Sequence, residues 1–434
     1  MDFPDAARYL LGLGHETVAI KLGLANIVRL LERLGAPQQA YPAVQIAGTN
    51  GKGSTAAMLE AIACAAGLRV GLYTSPHLVS LTERIRVNGH EITPEEFARL
   101  TERVRRAAFA MRDDDAGALP TFFEQVTALA LLAFRDAQVD LAILETGLGG
   151  RLDATTAALA QTIALTPIDY DHQEYLGHTL AEIAAEKAAI IRPGVSVVVA
   201  AAQLPAARAV IEARCRECGV NPRFTSGEQA RVISADDTGR LLVTIETAED
   251  VYENVSLALR GRHQLTNAVT AVAVAEALRA CGFDFTRDAI REGLRTAMHP
   301  GRLELRPGAP PLLFDGAHNP AGARSLRDYL EEFWRDAPIT FVFGAMGDKD
   351  LSQLAATLFT PAAKIFLTRP DHPRAATPEA LRRFVPVGVG DERLSLVASP
   401  KEAMRAAVAA TPANGLLCVT GSLYLVGEVK SLGW

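Results

Sequence analysis

Ala43-Val-Gln-Ile-Ala-Gly-Thr-Asn-Gly-Lys-Gly-Ser54 is the stretch on which the reading of this chain turns. Its first five residues, Ala43–Ala47, are short and apolar enough to predict a buried strand. Gly48-Thr-Asn-Gly-Lys-Gly-Ser54 predicts a loop, and the pattern running on to Ala66 predicts a helix. Glycines let backbone N–H groups turn inward around phosphate oxygens. The helix N-terminus adds positive potential and Lys52 adds a full charge. The stretch departs from the strict phosphate-loop spacing. Ile46 stands where the first glycine belongs and Gly53 follows the lysine, so Ser54 or Thr55 must supply the hydroxyl. A glycine-rich turn with a solvated lysine is the plainer alternative, but the strand–loop–helix context favours phosphate.

Working outward, short runs rich in Val and Ile alternate with helical patterns. Val70–Tyr73, Val139–Leu144, Thr162–Leu165 and Val195–Ala200 predict further buried parallel strands. Helices are predicted over Pro94–Met111, Phe122–Ala137, Leu180–Ile191 and Leu204–Cys218. This order predicts an α/β fold with a doubly wound sheet of the phosphate-loop type. From Arg231 to Leu259 alternating segments predict a small antiparallel sheet closing the first domain, followed by a helix over Leu265–Cys281. Pro300-Gly301 then punctuates the chain, and a second, Rossmann-like α/β series follows: strands Pro311–Phe314, Ile339–Phe343, Ile365–Thr368 and Leu416–Thr420, with a helix over Gly322–Trp334. The expected domains are residues 1–297, binding nucleotide, and 298–434.

Composition narrows the function classes. The 434 residues are 49% hydrophobic and 22% charged, which argues for a folded chain rather than a disordered one. Lys plus Arg number 44 against 50 Asp plus Glu, a net charge of −6 that argues against a nucleic-acid partner. The longest apolar runs, Thr127–Phe134 and Val195–Ala202, fall short of the ~18 residues a membrane span needs, and no membrane partner is expected. Met1–Leu10 carries early acids and no apolar signal core, so a cytoplasmic protein is expected. The five cysteines give no disulfide framework, and the Cys215/Cys218 pair, lying in a helical pattern without a second pair, reads as structural.

Three more clusters follow predicted strands. Tyr73-Thr-Ser-Pro-His-Leu78, Glu145-Thr-Gly-Leu-Gly-Gly-Arg-Leu-Asp153 and Asp169-Tyr-Asp-His172 all fall where open α/β sheets bind ligands. A carboxylate, a hydroxyl and an imidazole at neighbouring strand ends suit Mg²⁺ bound to ATP, with water completing the octahedron. Each cluster alone is weak. Behind a phosphate loop they favour a metal site.

With these motifs in hand, the chain resembles the folylpolyglutamate synthase/dihydrofolate synthase family of Mur-ligase-like, ATP-dependent amide ligases. The resemblance covers nearly the whole chain. Besides the clusters above it rests on Gly261-Arg-His-Gln-Leu-Thr-Asn267, Pro300-Gly-Arg302, Asp315-Gly-Ala-His-Asn319 and Gly421-Ser-Leu-Tyr424. It implies that Gly48, Thr49, Asn50, Gly51, Lys52, Gly53 and Ser54 hold the ATP phosphates, and that Ser75, Glu145 and His172 bind Mg²⁺. It implies that Lys187 is a lysine of the kind found carbamylated, a second metal ligand. Asn267, Arg302 and Asp315 match nucleotide-contacting positions, the latter two reaching across the domain cleft. His318 and Ser422 match positions lining the incoming glutamate, with His318 in a catalytic role; Arg84 matches a folate- or phosphate-side arginine, and Asp153 a position associated with pteroate binding. Two residues depart from the family pattern: Gln45 stands where many relatives carry His, and Thr156 where Asn is usual.

The implied reaction is carboxylate activation by ATP, through an acyl phosphate, followed by attack of the amine of L-glutamate. The implied substrates are dihydropteroate and reduced folates, so the expected enzyme is bifunctional; a monomer is also expected. A cell-wall type of amide ligase and a nucleotide-driven switch are the competing readings. The Ser75–Leu78 and Gly261–Asn267 motifs count against the first, and a second domain carrying Asp315 and His318 counts against the other.

Overall fold

A computed structural model describes residues 1–14, 23–114 and 119–434. The chain divides into two compact units. One comprises Met1–Arg231, Thr244–Val255 and Thr266–Ala297; the other comprises Val232–Val243, Ser256–Leu265 and Met298–Trp434.

The first unit is built on strands β1 (Ala43–Ala47), β2 (Val70–Tyr73), β3 (Ile85–Val87), β4 (His90–Glu91), β5 (Leu141–Glu145), β6 (Thr162–Leu165), β7 (Val197–Ala200) and β8 (Pro222–Phe224). Their order in the sheet is β4-β3-β2-β5-β1-β6-β7-β8. The strands from β2 to β8 run parallel, and β3 and β4 add an antiparallel edge. Every residue of β1, β2, β5 and β6 is buried, which is why these segments read as apolar runs rather than as alternating ones. β1 lies between β5 and β6, with Val44 opposite Ile143 on one side and Thr162 on the other.

Local chemistry sets the element ends. β5 begins two residues later than the sequence predicts, because Gln138 turns left-handed (φ 54) and the Asp140 carboxylate accepts the Arg69 N–H at 2.7 Å. Glu145 therefore ends the strand, opposite Ile46 of β1, instead of following it. Helix Phe122–Asp136 starts at a capping box of Thr121 with Glu124, and helix Leu180–Ala188 at one of Thr179 with Glu182. The latter stops three residues before the expected Ile191. The Cys215/Cys218 pair lies on helix Pro205–Cys218, and burial pushes the Cys215 thiol up to about 11, as befits packing residues.

A three-stranded sheet of β9 (Ala230–Ala235), β10 (Leu241–Glu246) and β11 (Val251–Ser256) follows. Its connections, Asp236–Arg240 and Thr247–Asp250, are far too short for parallel crossovers, so both are hairpins. The sequence places this sheet wholly in the first domain. Instead its segments are shared out between the two units.

The second unit carries β12 (Glu304–Arg306), β13 (Leu312–Phe314), β14 (Ile339–Phe343), β15 (Lys364–Leu367), β16 (Leu394–Leu396) and β17 (Leu416–Thr420), ordered β12-β13-β17-β14-β15-β16. Only β12 runs antiparallel to its neighbour. Helix Pro320–Phe333 starts two residues before the expected Gly322, because Asn319 caps it and Pro320 occupies its first turn. Among the described residues no helix is long and apolar enough to cross a membrane.

One packing contact, missed by the sequence reading, fixes the helix behind the glycine loop. Helix Arg287–Thr296 lies against helix Lys52–Ala65 so closely that a Cβ on Gly293 would fall 2.3 Å from Ile62 Cα. Backbone cannot yield as a flexible side chain can. Gly293→Ala is therefore expected to destabilise the protein by about 1–3 kcal/mol, as overpacked cores do. Thermal melts beside Gly388→Ala check this, since a Cβ at Gly388 meets nothing within 4 Å; an unchanged melt for Gly293→Ala would refute the close approach.

Candidate active site

The strand order determines which loops share an edge. β2, β5, β1 and β6 are consecutive neighbours. Their C-terminal ends carry, in the same order, Ser75, Glu145, the glycine loop and Asp169–His172. These are the positions at which open α/β sheets bind ligands.

The glycine loop is braced by its neighbours. The N–H groups of Thr49 and Asn50 donate to the Pro167 carbonyl at 3.0 and 3.3 Å. The Thr49 hydroxyl donates to the Asp169 carbonyl at 2.9 Å. Gly48 (φ 148) lies so close to Thr166 that a Cβ would fall 2.0 Å from Oγ1, and a Cβ on Gly51 (φ 88) would fall 2.2 Å from Asn267 Oδ1. These two positions thus require glycine for space as well as for conformation. Asn267 is buried against the loop from helix Gln264–Arg279. Helix Lys52–Ala65 opens at Gly51 with no side-chain cap, so its first N–H groups face the loop with the positive end of the helix dipole. Lys52 Nζ donates to the Gly48 and Thr49 carbonyls, both at 3.2 Å. Gly53, Ser54 and Thr55 form the buried first turn.

Lys187 overturns its plain reading as a solvated helix lysine. It is 4% exposed, and its Nζ donates to the Gly48 carbonyl at 3.0 Å. Burial first, then the Lys52 charge, pull its pKa down to about 7, against the opposing pull of Asp171 and Asp153. The amine therefore gives up its proton, and becomes nucleophilic, more readily than a lysine in solvent.

Glu145 is buried, and one of its oxygens accepts the Ser75 N–H at 3.1 Å. His172 has a left-handed backbone (φ 50), and its Nε2 lies 3.9 Å from Asp171 Oδ2. Among the described residues no three His, Cys, Asp or Glu side chains converge on one point, so protein groups alone build no metal cage. Mg²⁺ needs none: it takes one or two carboxylates and completes its shell with phosphate oxygens and water. The hard oxygens of Glu145 and Ser75 beside a phosphate loop fit that ion.

Arg84 is buried, donates from Nε to His77 Nδ1 at 2.8 Å, and lies 5.3 Å from the Phe122 ring centroid. Asp153 is committed to its own loop. Its Oδ2 accepts the Gly147 and Leu148 N–H groups at 3.0 and 2.9 Å, and its Oδ1 accepts the Thr155 N–H and hydroxyl at 3.0 and 2.5 Å. Burial raises its pKa in spite of these donors.

Gln45 and Thr156, the two departures from the family pattern, meet. The Thr155 hydroxyl donates to Asp153, and the Thr156 hydroxyl donates to the Gly150 carbonyl at 2.8 Å. Both must then accept from Gln45 Nε2, which lies 2.9 Å from each. Gln45 Oε1 is buried with no hydrogen-bond partner among the described residues.

In the second unit, the segments after β13 and β17 are neighbours. The Asp315 carboxylate accepts the Leu303 N–H at 2.9 Å and the Ala317 N–H at 3.0 Å. Burial raises its pKa, although the Arg302 charge opposes this. His318 Nδ1 donates to the Gly316 carbonyl at 2.8 Å, which makes Nε2 the basic nitrogen of the neutral ring. Ser422 is the N-cap of helix Leu423–Ser431; its hydroxyl donates to the Gly344 carbonyl at 2.8 Å and accepts the Leu425 N–H at 3.1 Å. These bonds brace the loop that follows β17.

Comparison with known proteins agrees with this architecture. The Mur ligase middle domain matches residues 46–275, and the glutamate ligase domain of the Mur ligases matches residues 301–423, so the class is that of the Mur-type ligases. The dihydrofolate synthase/folylpolyglutamate synthase of Bacillus subtilis is 34% identical, with 96% of each chain covered. A probable bifunctional folylpolyglutamate synthase/dihydropteroate synthase of Halobacterium salinarum is 38% identical over 99% of this chain, which spans about half (52%) of that longer protein. Among solved structures, Mycobacterium tuberculosis folylpolyglutamate synthase complexed with ADP superposes with a TM-score of 0.91 at 32% identity, covering 99% of this chain and 98% of that one. Escherichia coli FolC in complex with DHPP and ADP superposes with a TM-score of 0.85 at 34% identity, covering 100% and 97%. The chain belongs to the dihydrofolate synthase/folylpolyglutamate synthase family of ligases.

The state of Lys187 has a thermodynamic signature. An amine whose pKa falls from 10.5 to about 7 on folding is destabilising at neutral pH, and the penalty fades as pH rises toward the unfolded value. Lys187→Met should therefore melt higher than wild type at pH 7, with the gap narrowing at about pH 9.5. A gap that does not change with pH would mean that the amine is not displaced.

Proposed function

We propose that this chain joins L-glutamate to the carboxylate of dihydropteroate and to the γ-carboxylate of reduced folates, using ATP and Mg²⁺. The observation that carries this reading is the buried Lys187 amine on the Gly48 carbonyl, at the sheet edge that also presents Ser75 and Glu145.

The substrate carboxylate is a poor acyl donor until it is phosphorylated. Its oxygen attacks the γ-phosphorus of ATP, ADP leaves, and an acyl phosphate forms. Lys52 and the loop Gly48, Thr49, Asn50, Gly51, Gly53 and Ser54 hold the phosphates, with the Lys52 charge and the N–H groups at the start of helix Lys52–Ala65 stabilising the charge that develops on them. Ser75, Glu145 and His172 would hold Mg²⁺, which when bound neutralises phosphate charge. Lys187, as its carbamate, would add oxygen donors to a second ion. Asn267, Arg302 and Asp315 serve the nucleotide. Arg84 serves the pteroate or folate, and Asp153 shapes the loop beside it. The glutamate amine then attacks the acyl carbon, the proton passes to Nε2 of His318, and phosphate leaves; Ser422 helps to seat the amino acid. We place this reaction in the cytoplasm and take the monomer as the working unit.

The deciding experiment is ATP-dependent incorporation of labelled glutamate with dihydropteroate and tetrahydrofolate supplied separately. Product from both is expected. Product from tetrahydrofolate alone would reduce the activity to tail extension, and product from neither would end the proposal. Lys52→Ala should lower incorporation by ~10²–10³ while the chain still melts as a folded protein. Activity within threefold of wild type would remove the phosphate role. Lys187→Ala should be similarly impaired and partly rescued by added acetate, which can replace the carbamate oxygens; full activity without acetate would count against carbamylation.

A further inference from the structure

Arg302 is presented from an unusual turn. The residues on either side of it, Gly301 (φ 72) and Leu303 (φ 42), are both left-handed, and Leu303 is a buried leucine. A bulky side chain adopts that conformation only where its surroundings impose it. Here the bonds that impose it are visible. The Gly301 N–H donates to Glu304 Oε2 at 2.8 Å, and the Gly301 carbonyl accepts the Gly316 N–H at 2.8 Å. The Leu303 N–H donates to Asp315 Oδ2 at 2.9 Å. The guanidinium itself reaches only the Gly316 carbonyl among the described residues, at a long 3.4 Å. The direction of the side chain is therefore set by the backbone beneath it.

Glu304 is in turn held in place. Lys430 Nζ, on helix Leu423–Ser431, lies 2.5 Å from Glu304 Oε2, and Arg306 Nε lies 3.2 Å from Oε1. Lys430 and Glu304 are both largely shielded, with side chains 13% and 24% exposed, so this is more than a surface pair. Burial alone would raise the Glu304 pKa, but Lys430, the Gly301 N–H and Arg306 together hold it below the usual carboxylate range. The carboxylate is ionised, and hence a strong acceptor for Gly301, throughout the neutral range.

We propose that Glu304, locked by Lys430, is a positioning residue for Arg302: it fixes the backbone turn from which the guanidinium reaches the nucleotide. The proposal rests on the reading of Arg302 as a nucleotide contact. It gives Glu304 no contact with substrate, and its effect must pass through Arg302.

A double-mutant cycle in the full chain separates these roles. Glu304→Ala is expected to raise the KM for ATP about tenfold, with the KM for glutamate within about twofold of wild type. In an Arg302→Ala background the same change should alter the ATP KM by less than about twofold, because nothing is left to position. Lys430→Met, which leaves Glu304 in place, should shift the ATP KM in the same direction by a smaller factor, again only when Arg302 is present. Glu304→Gln, whose amide oxygen still accepts the Gly301 N–H, should recover most of the loss, and it keeps the test open should the alanine variant fold poorly. Effects that multiply with those of Arg302→Ala, or that fall equally on glutamate and ATP, would overturn the positioning role. An unchanged ATP KM in Arg302→Ala alone would overturn the nucleotide reading of Arg302 instead, and with it the purpose assigned to Glu304.

Discussion

The hydrogen bond from Lys187 to the Gly48 carbonyl is the constraint around which the first unit is arranged. Burying that amine is expensive: a pKa lowered from 10.5 to about 7 corresponds to roughly 5 kcal/mol, a large part of the stability of a typical domain. The fold meets this cost with an apolar sheet and with a helix that delivers the lysine at a defined depth. The capping box at Thr179 and Glu182 sets where that helix begins, and so which residue of its last turn arrives beneath the loop. The strand order does the rest, because β1 carries the glycine loop between β5 and β6. A destabilised, partly neutral amine next to a phosphate loop makes sense as a chemical tool and poor sense as scaffolding.

Much of this was legible in the sequence, for a physical reason. Strands buried on both faces must be apolar throughout, so β1, β2 and β6 stand out with their ends intact. The glycine loop was legible because two of its glycines meet a steric demand, against Thr166 and Asn267, that no other residue satisfies. What escaped were short or edge elements such as β3, β4, β8 and β12, whose few residues have no period to detect. Helix Arg287–Thr296 escaped too, although Thr286 caps it and Ala289, Ile290 and Leu294 line its buried face; only its close approach at Gly293 needs the neighbouring backbone to explain it. The role of Glu304 left no trace in composition or spacing, since it depends on Lys430, far along the chain. Lys187 was singled out only through family resemblance, although its spacing from Leu180, Ile183 and Ala184 already puts it on the buried face of its helix.

Gln45 and Thr156 show how departures from a family pattern should be weighed. Each looks like an isolated exchange along the chain, but in space Gln45 Nε2 lies 2.9 Å from the hydroxyls of both Thr155 and Thr156. The donors run in one direction, from the amide to the threonines and from the threonines to Asp153 and the Gly150 carbonyl. The network is coherent because every hydroxyl both gives and receives a proton. Two apparent irregularities thus form a single polar assembly beneath the Gly147–Asp153 loop.

The partition of the chain between its two units has a consequence for how this protein can be dissected. Val232–Val243 and Ser256–Leu265 belong with the second unit, although each is flanked by segments of the first. Cutting at Ala297 would leave those two segments stranded on the amino-terminal piece, separated from the residues they pack with. The unit carrying β12–β17 is in this sense discontinuous in sequence, assembled only once Met298–Trp434 has been made. A polypeptide that interleaves its parts in this way ties their folding together, so that the amino-terminal piece exposes unsatisfied surface until synthesis is nearly complete.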